Sequence, residues 1–237
     1  MAQEVYNLEA GVESCIEEIR TLARRKETVI VQIAGGSGSG KTEVVGARIK
    51  ASFGEAGVIN MDDYLLPIKE ILANKEINPD HPKAQKLDLL AQHLSLLQKG
   101  IPIKKPIFSF LAEGGSVVGE ETVKPSKIII VEGLFALAES IAKHGDFRIF
   151  VEADYKTRLE RRLVRDLKRS TWSTEQTAGY YKTVGEPMYT KFVEPTKKNA
   201  DVVILNNYVP EIEKKRLQES ELRDFGFEEY LGTGAKK

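Results

Sequence analysis

The sequence predicts an α/β fold: a mostly parallel sheet between two layers of helices, with a small inserted β flap and a helical lid. Two observations carry this. Short β-branched runs at 28–34, 127–131 and 147–151 alternate with stretches whose apolar residues recur every three or four positions. Such alternation builds strand–helix–strand units and a sheet covered on both faces. Between the first of these strands and its helix lies Gly35-Gly36-Ser37-Gly38-Ser39-Gly40-Lys41-Thr42, at the strand end where parallel sheets bind ligands.

The elements follow in order. Val12, Ile16, Ile19 and Leu22 form one stripe of a helix over 8–26, with Arg24-Arg25-Lys26 at the end where cations suit the dipole. The single cysteine, Cys15, falls on that helix at an apolar position. Strand 28–34 and the glycine loop come next, then a helix marked by Val45, Ile49 and Phe53. Residues 57–61 read as a second strand ending at Asp62-Asp63-Tyr64, and Pro67, Pro79 and Pro82 leave 66–84 with little regular structure. Leu87, Leu90, Leu94 and Leu97 mark a helix that Gly100 ends. Two β-like pieces around Phe108 and Val117, separated by Gly114-Gly115, form the flap at 101–126. Strand 127–131 leads through Glu132 into a helix reaching about His144, and strand 147–151 precedes Asp154, a cap for the helix at 155–169. Helices at 174–184 and 187–194 and a strand at 201–205 complete the order. Residues 1–237 thus read as one domain: a core at 27–100 and 127–207, the flap, a lid region at 155–186 and a tail at 208–237, whose last residues, from Gly232, look disordered.

The glycine loop has the P-loop spacing, which makes the fold a three-layer P-loop NTPase. Its glycines let backbone N–H groups turn toward an anion, and the next helix adds its positive dipole end. Gly35, Gly36, Ser37, Gly38, Ser39 and Gly40 would cradle the phosphates of ATP, Lys41 would reach the β- and γ-phosphates, and Thr42 would ligate Mg²⁺. A flexible Gly/Ser linker is the plain alternative, and the closely flanking strand and helix exclude it. Acids at neighbouring strand ends, Asp62-Asp63 and Glu132, would hold the metal or accept the proton of an attacking hydroxyl. Asp63 suits a helix cap equally well. On the 155–169 helix, Leu159, Leu163 and Leu167 face inward while Arg158, Arg162, Arg165 and Arg169 share another face, as a lid closing over phosphates requires. Lys104-Lys105 and Lys197-Lys198 read first as solvated surface charge.

With these residues in hand, the chain resembles the uridine kinase and phosphoribulokinase family of P-loop kinases. The matches run from about Val29 to Leu205: residues 34–42, Met61-Asp62-Asp63-Tyr64, Asp80-His81-Pro82, Val131-Glu132-Gly133-Leu134, the arginines and Asp166 of the lid helix, and residues 194–201. The resemblance implies Asp62 as catalytic base beside Lys41, and Glu132 with Thr42 and Asp62 at the metal. It also implies Arg162 and Arg165 on the ATP phosphates and Lys197 near the adenine. Asp80 would grip ribose hydroxyls, with Tyr64, Phe108 and Glu113 around the acceptor. Three positions depart from the uridine kinase pattern: Ser109, Glu113 and Gly115 stand where a base-reading Asp, His and Arg are usual. The lid departs too, reading Arg169-Ser170-Thr171-Trp172, with Lys168 and Arg169 as stand-ins for missing arginines.

The expected activity is therefore transfer of the γ-phosphate of ATP to an acceptor hydroxyl. Most of the match points to uridine or cytidine; a non-nucleoside sugar, polyol or organic acid is the alternative. The three departures carry a further expectation, poor use of uridine and cytidine in favour of a neutral or cationic polyol. A nucleotide-hydrolysing switch is the rival class, and the Asn-Lys-x-Asp guanine reader it normally carries is absent. A fold kept only for binding is disfavoured by the intact Lys41, Asp62 and Glu132. Basic and acidic residues balance, 35 against 35, which gives nucleic acid no electrostatic footing. No signal peptide and no apolar run of membrane-spanning length are evident, so a cytoplasmic protein is expected, possible self-association being left open.

Overall fold

A computed structural model describes residues 3–112, 115–169 and 172–207. Six strands form one parallel sheet in the order β1-β8-β7-β2-β6-β3, comprising β1 (Glu4–Asn7), β2 (Val29–Gly35), β3 (Gly57–Asn60), β6 (Ile128–Gly133), β7 (Phe147–Glu152) and β8 (Val202–Leu205). Strands β4 (Ile103–Ser109) and β5 (Ser116–Val123) pair separately as the antiparallel flap.

Alternation along the strands divides the core in two. Val29, Val31 and Ile33 face α1 (Leu8–Ala23) and α2 (Ala47–Phe53), packing with Cys15, Ile19, Val45 and Ile49. Ile30 and Ala34 face the other way, toward Leu90, Leu94 and Leu97 of α4 (Leu87–Gln98). Cys15 is wholly buried, and burial pushes its thiol up to about 12. Asp154 caps α6 (Tyr155–Arg169) by accepting the Thr157 N–H at 2.7 Å. No helix among the described residues is long and apolar enough to cross a membrane.

The structure departs from the sequence reading in four places. β1 is an added edge strand, parallel to β8, with Glu4 opposite Val202. Three of its four side chains are exposed, so it has no apolar pattern; backbone pairing and the packing of Tyr6 against the core hold it. Within 66–84, a short helix α3 (Ile68–Ala73) starts at Pro67, whose fixed φ suits a helix start better than a break. The helix expected up to His144 shrinks to α5 (Glu139–Ala142). Ahead of it, Phe135, Ala136 and Leu137 are all buried in turns, an arrangement no single helical stripe allows, and Asn199 donates to the Leu137 carbonyl. The two helices expected over 174–194 become one continuous irregular run: α7 (Thr174–Tyr180), a π-helical turn, α8 (Glu186–Met188), a second π-helical turn and a 3₁₀ stretch through Asn199.

Candidate active site

Three adjacent strands set the site. β2 runs into the glycine loop, and β6 lies beside it with Ile33 opposite Glu132. β3 lies on the far side of β6 with Asn60 opposite Glu132. The turn Met61–Tyr64 starts directly after Asn60, whose Oδ1 accepts the Asp62 N–H at 2.9 Å. Loop, Glu132 and Asp62 therefore meet at the carboxyl edge of the sheet. Gly133 permits this closeness, because any Cβ there would strike the Met61 side chain.

The loop is shaped from behind. Gly38 and Gly40 have φ of 82° and 85°, values that L side chains rarely adopt. A Cβ on the first would meet the Arg158 carbonyl, and on the second the Asn206 amide. Asn206 Nδ2 donates to the Ser39 carbonyl at 2.8 Å, and Arg161 reaches the Gly38 and Ser39 carbonyls at 3.4 and 3.3 Å. With the Ser39 carbonyl drawn rearward, the Gly40 N–H of the same planar peptide points forward, as anion binding needs.

Lys41 lies across the loop, donating to the Gly36 carbonyl at 3.3 Å. Burial lowers its proton affinity, opposed by the charges of Asp62 and Glu132. Burial raises that of Asp62, opposed by Lys41 and Arg165. Asp62 is open to solvent on one side yet enclosed by protein on the others, as a group on the floor of a cleft is. Glu132 is buried, its proton affinity raised by desolvation and lowered by a hydrogen bond from the Thr42 hydroxyl. A hydroxyl beside a carboxylate is a hard-oxygen donor pair of the kind Mg²⁺ uses together with substrate phosphates. Among the described residues, no three His, Cys, Asp or Glu side chains gather into an all-protein metal cage.

Two of the lid arginines face the site. Arg165 lies 3.4 Å from Ser37 Oγ and pairs with Asp166. Arg162 lies 3.2 Å from Asp166 and 4.0 Å from Asp80. The buried Tyr180 hydroxyl lies near Asp80, and desolvation together with the Asp80 charge raises its proton affinity. A small cavity lined by Ser37, Asp80, Leu134, Arg162, Tyr181 and Tyr189 joins the loop to Asp80.

Arg158 and Tyr64 are placed away from the site. Arg158 does not join the lid face: buried, it grips Glu186 at 2.7 and 2.8 Å, the Tyr181 hydroxyl at 2.7 Å and the Ala153 carbonyl at 2.9 Å. Tyr64, expected at the acceptor, is a core residue with its hydroxyl 2.8 Å from His93 Nδ1, so no part of it is open to a ligand. Lys197 pairs with Glu152 at 2.8 Å, at the carboxyl end of β7. Phe108 is half-buried on the flap, edge-on to Phe110. Lys105 is buried rather than solvated. Glu113, Ser170, Thr171 and the side chains of Lys168 and Arg169 lie outside the described residues, as do the tail at 208–237 and its last residues. Arg161, Asn206 and Tyr180 were missing from the sequence reading of the site. Only Arg161 had a signal there, standing among the matched lid arginines.

A family model described as phosphoribulokinase / uridine kinase family matches residues 30–212. The chain is similar to a protein named uridine kinase from Staphylococcus epidermidis, 38% identical over 184 residues that cover 75% of this chain and 87% of the relative. Its fold is similar to a D-glycerate 3-kinase from Cryptococcus neoformans, with TM-score 0.58, 16% identity and coverage of 78% of this chain and 89% of that one. It is likewise similar to the phosphoribulokinase from Rhodobacter spheroides, with TM-score 0.59, 14% identity and coverage of 76% and 70%.

Proposed function

Because the chain belongs to the phosphoribulokinase/uridine kinase family and is an ATP-dependent kinase of the uridine kinase type, we propose that its acceptor is the ribose hydroxyl of uridine or cytidine. The observation that supports this most is the meeting of Lys41, Asp62 and Glu132 at one sheet edge, with Asp80 within electrostatic reach of Lys41 and Asp62. Asp62 accepts the proton of the attacking hydroxyl; burial raises its proton affinity, and the Lys41 charge opposes that rise. The loop amides and Lys41 hold the phosphates in line, and Arg162 and Arg165 add positive charge where the transferring group loses its partners. Asp80, facing Arg162 and with one buried carboxylate oxygen lacking a hydrogen-bond partner among the described residues, accepts from vicinal hydroxyls. Thr42 and Glu132, with Asp62 in reach, would hold Mg²⁺, which supplies charge neutralisation at the phosphates. Lys197 would serve the adenine end once displaced from Glu152.

The polyol alternative, and with it the expectation of poor uridine use, is not favoured by relatives named uridine kinase at this identity. Two of the departures behind it have local structural reasons. The Ser109 hydroxyl accepts the Leu111 and Ala112 N–H groups, a turn-capping task open to Asp or Ser alike. Gly115 has φ of 58°, and its missing Cβ makes room for Ile68, so an arginine there would clash.

The test is acceptor-dependent ADP release, with the phosphorylated product identified by mass spectrometry. Uridine or cytidine should reach a kcat/KM of at least about 10⁴ M⁻¹s⁻¹. ADP release that neither nucleoside stimulates would refute the reading.

A further inference from the structure

Lys104 and Lys105 are adjacent on β4 but have opposite fates: the first faces solvent and the second is buried. The Lys105 ammonium lies 2.5 Å from Asp63 Oδ2, on the turn that carries Asp62, and 2.7 Å from Glu121 Oε1 on β5. Asp63 Oδ1 accepts the Phe108 N–H at 3.2 Å. The flap register shifts between Ile107 and Phe108, which takes that N–H off the ladder and frees it for Asp63. One carboxylate beside Asp62 thus receives both a side chain and a backbone group of the flap.

We propose that Lys105, with Asp63 and Glu121, is a positioning group that clamps the flap to the turn bearing Asp62, so that the acceptor enclosure and the proton acceptor are set as one piece. Lys105 acts through its neighbours and touches no substrate. Burial alone would weaken its charge, but the hydrogen bonds of Asp63 and Glu121 outweigh that and keep it protonated. Asp63 is the firmer end, with a side chain 17% exposed against 51% for Glu121, where water competes. A two-stranded hairpin is marginal by itself. This flap has a second clasp at its other end, where the Ile68 N–H donates to the Gly115 carbonyl at 2.9 Å. Losing the Lys105 clasp should therefore release the end near Asp62 while leaving the P-loop untouched.

The functional part of this inference rests on the kinase reading above, and two measurements separate the two. Hydrogen exchange is compared between wild type, Lys105→Met, Lys105→Arg and the double variant Asp63→Asn/Lys105→Met. Amides of β4 and β5 should exchange about tenfold faster in Lys105→Met and in the double variant, with β2 and β6 unchanged. In steady-state assays with uridine, the same two variants should raise the uridine KM about tenfold while the ATP KM stays within about twofold. The double variant leaves no uncompensated buried charge and should melt near wild type, yet keep the raised uridine KM. Lys105→Arg retains both partners and should recover most of it. Unchanged flap exchange in the double variant overturns the clamp, whatever the acceptor. A double variant with wild-type uridine KM, or uridine and ATP KM rising together, also overturns it. Failure of wild type to use uridine refutes the kinase acceptor instead, and the exchange data still decide the clamp.

Discussion

Replacing Arg158 by Met should destabilise the protein strongly, although sequence alone puts Arg158 on the lid face with the phosphate-binding arginines. The guanidinium is buried, paired through two nitrogens with Glu186, bonded to Tyr181 and Ala153, and stacked 3.8 Å from the Tyr189 ring centroid. Met fills similar volume, so the loss is electrostatic. Removing one partner of a buried ion pair costs about 3–5 kcal/mol, because the other charge is left uncompensated. Glu186 is 24% exposed and water relieves part of that, while the orphaned Ala153 carbonyl adds about 1–3 kcal/mol. The two adjustments roughly cancel, leaving about 3–5 kcal/mol. For a domain of this size each kcal/mol is worth about 2–4 °C, so the melting temperature should fall by about 6–20 °C. Circular dichroism melts would measure it. The double variant Arg158→Met/Glu186→Leu should recover at least half the loss, since no lone carboxylate remains. A single variant melting within about 2 °C of wild type would refute the reasoning, since ~1 kcal/mol is what a surface arginine contributes.

Lys41→Ala should lower turnover at least about 100-fold with an unchanged far-ultraviolet spectrum, since the side chain acts on charge that develops in the reaction; activity within a few-fold of wild type would remove it from the chemistry. Asp62→Asn should abolish phosphoryl transfer yet bind ATP by titration calorimetry, because the loop is left whole. Glu132→Gln should shift the Mg²⁺ dependence of the rate to higher concentration, and superimposable titrations would dissociate Glu132 from the metal. Gly115→Ala should lose about 1–2 kcal/mol from its left-handed φ, plus strain against Ile68, measurable by urea unfolding.

What was legible in the sequence follows from the kind of force that holds each part. The buried strands announce themselves because both faces must be apolar, and the glycine loop because Gly38 and Gly40 have no substitute at their φ values. Glu132 and Asp62 could be read as strand-end acids, since sheet topology alone brings strand ends together. The silent features depend on distant partners. Nothing local distinguishes Lys105 from Lys104 until β5 and Asp63 are placed around it. Arg158 and Arg162 are alike on a helical wheel, and only the Tyr181–Tyr189 run separates the structural one from the one facing Asp80. Tyr64 sits in a sequence motif of the site, but His93 on α4 draws its hydroxyl inward.

The pairing of β1 with β8 has a consequence for how the chain is made. Glu4 emerges from the ribosome well before Val202 and meets it only when nearly the whole described chain has followed. At ~5–20 residues per second that is a wait on the order of 10–40 s. An apolar strand left unpaired so long would invite association with other nascent chains. Glu4–Asn7 is instead exposed at three of four positions and tolerates water while its partner is synthesised. The feature that hides β1 from a reading of hydrophobic pattern is thus the one that lets it wait in water for β8.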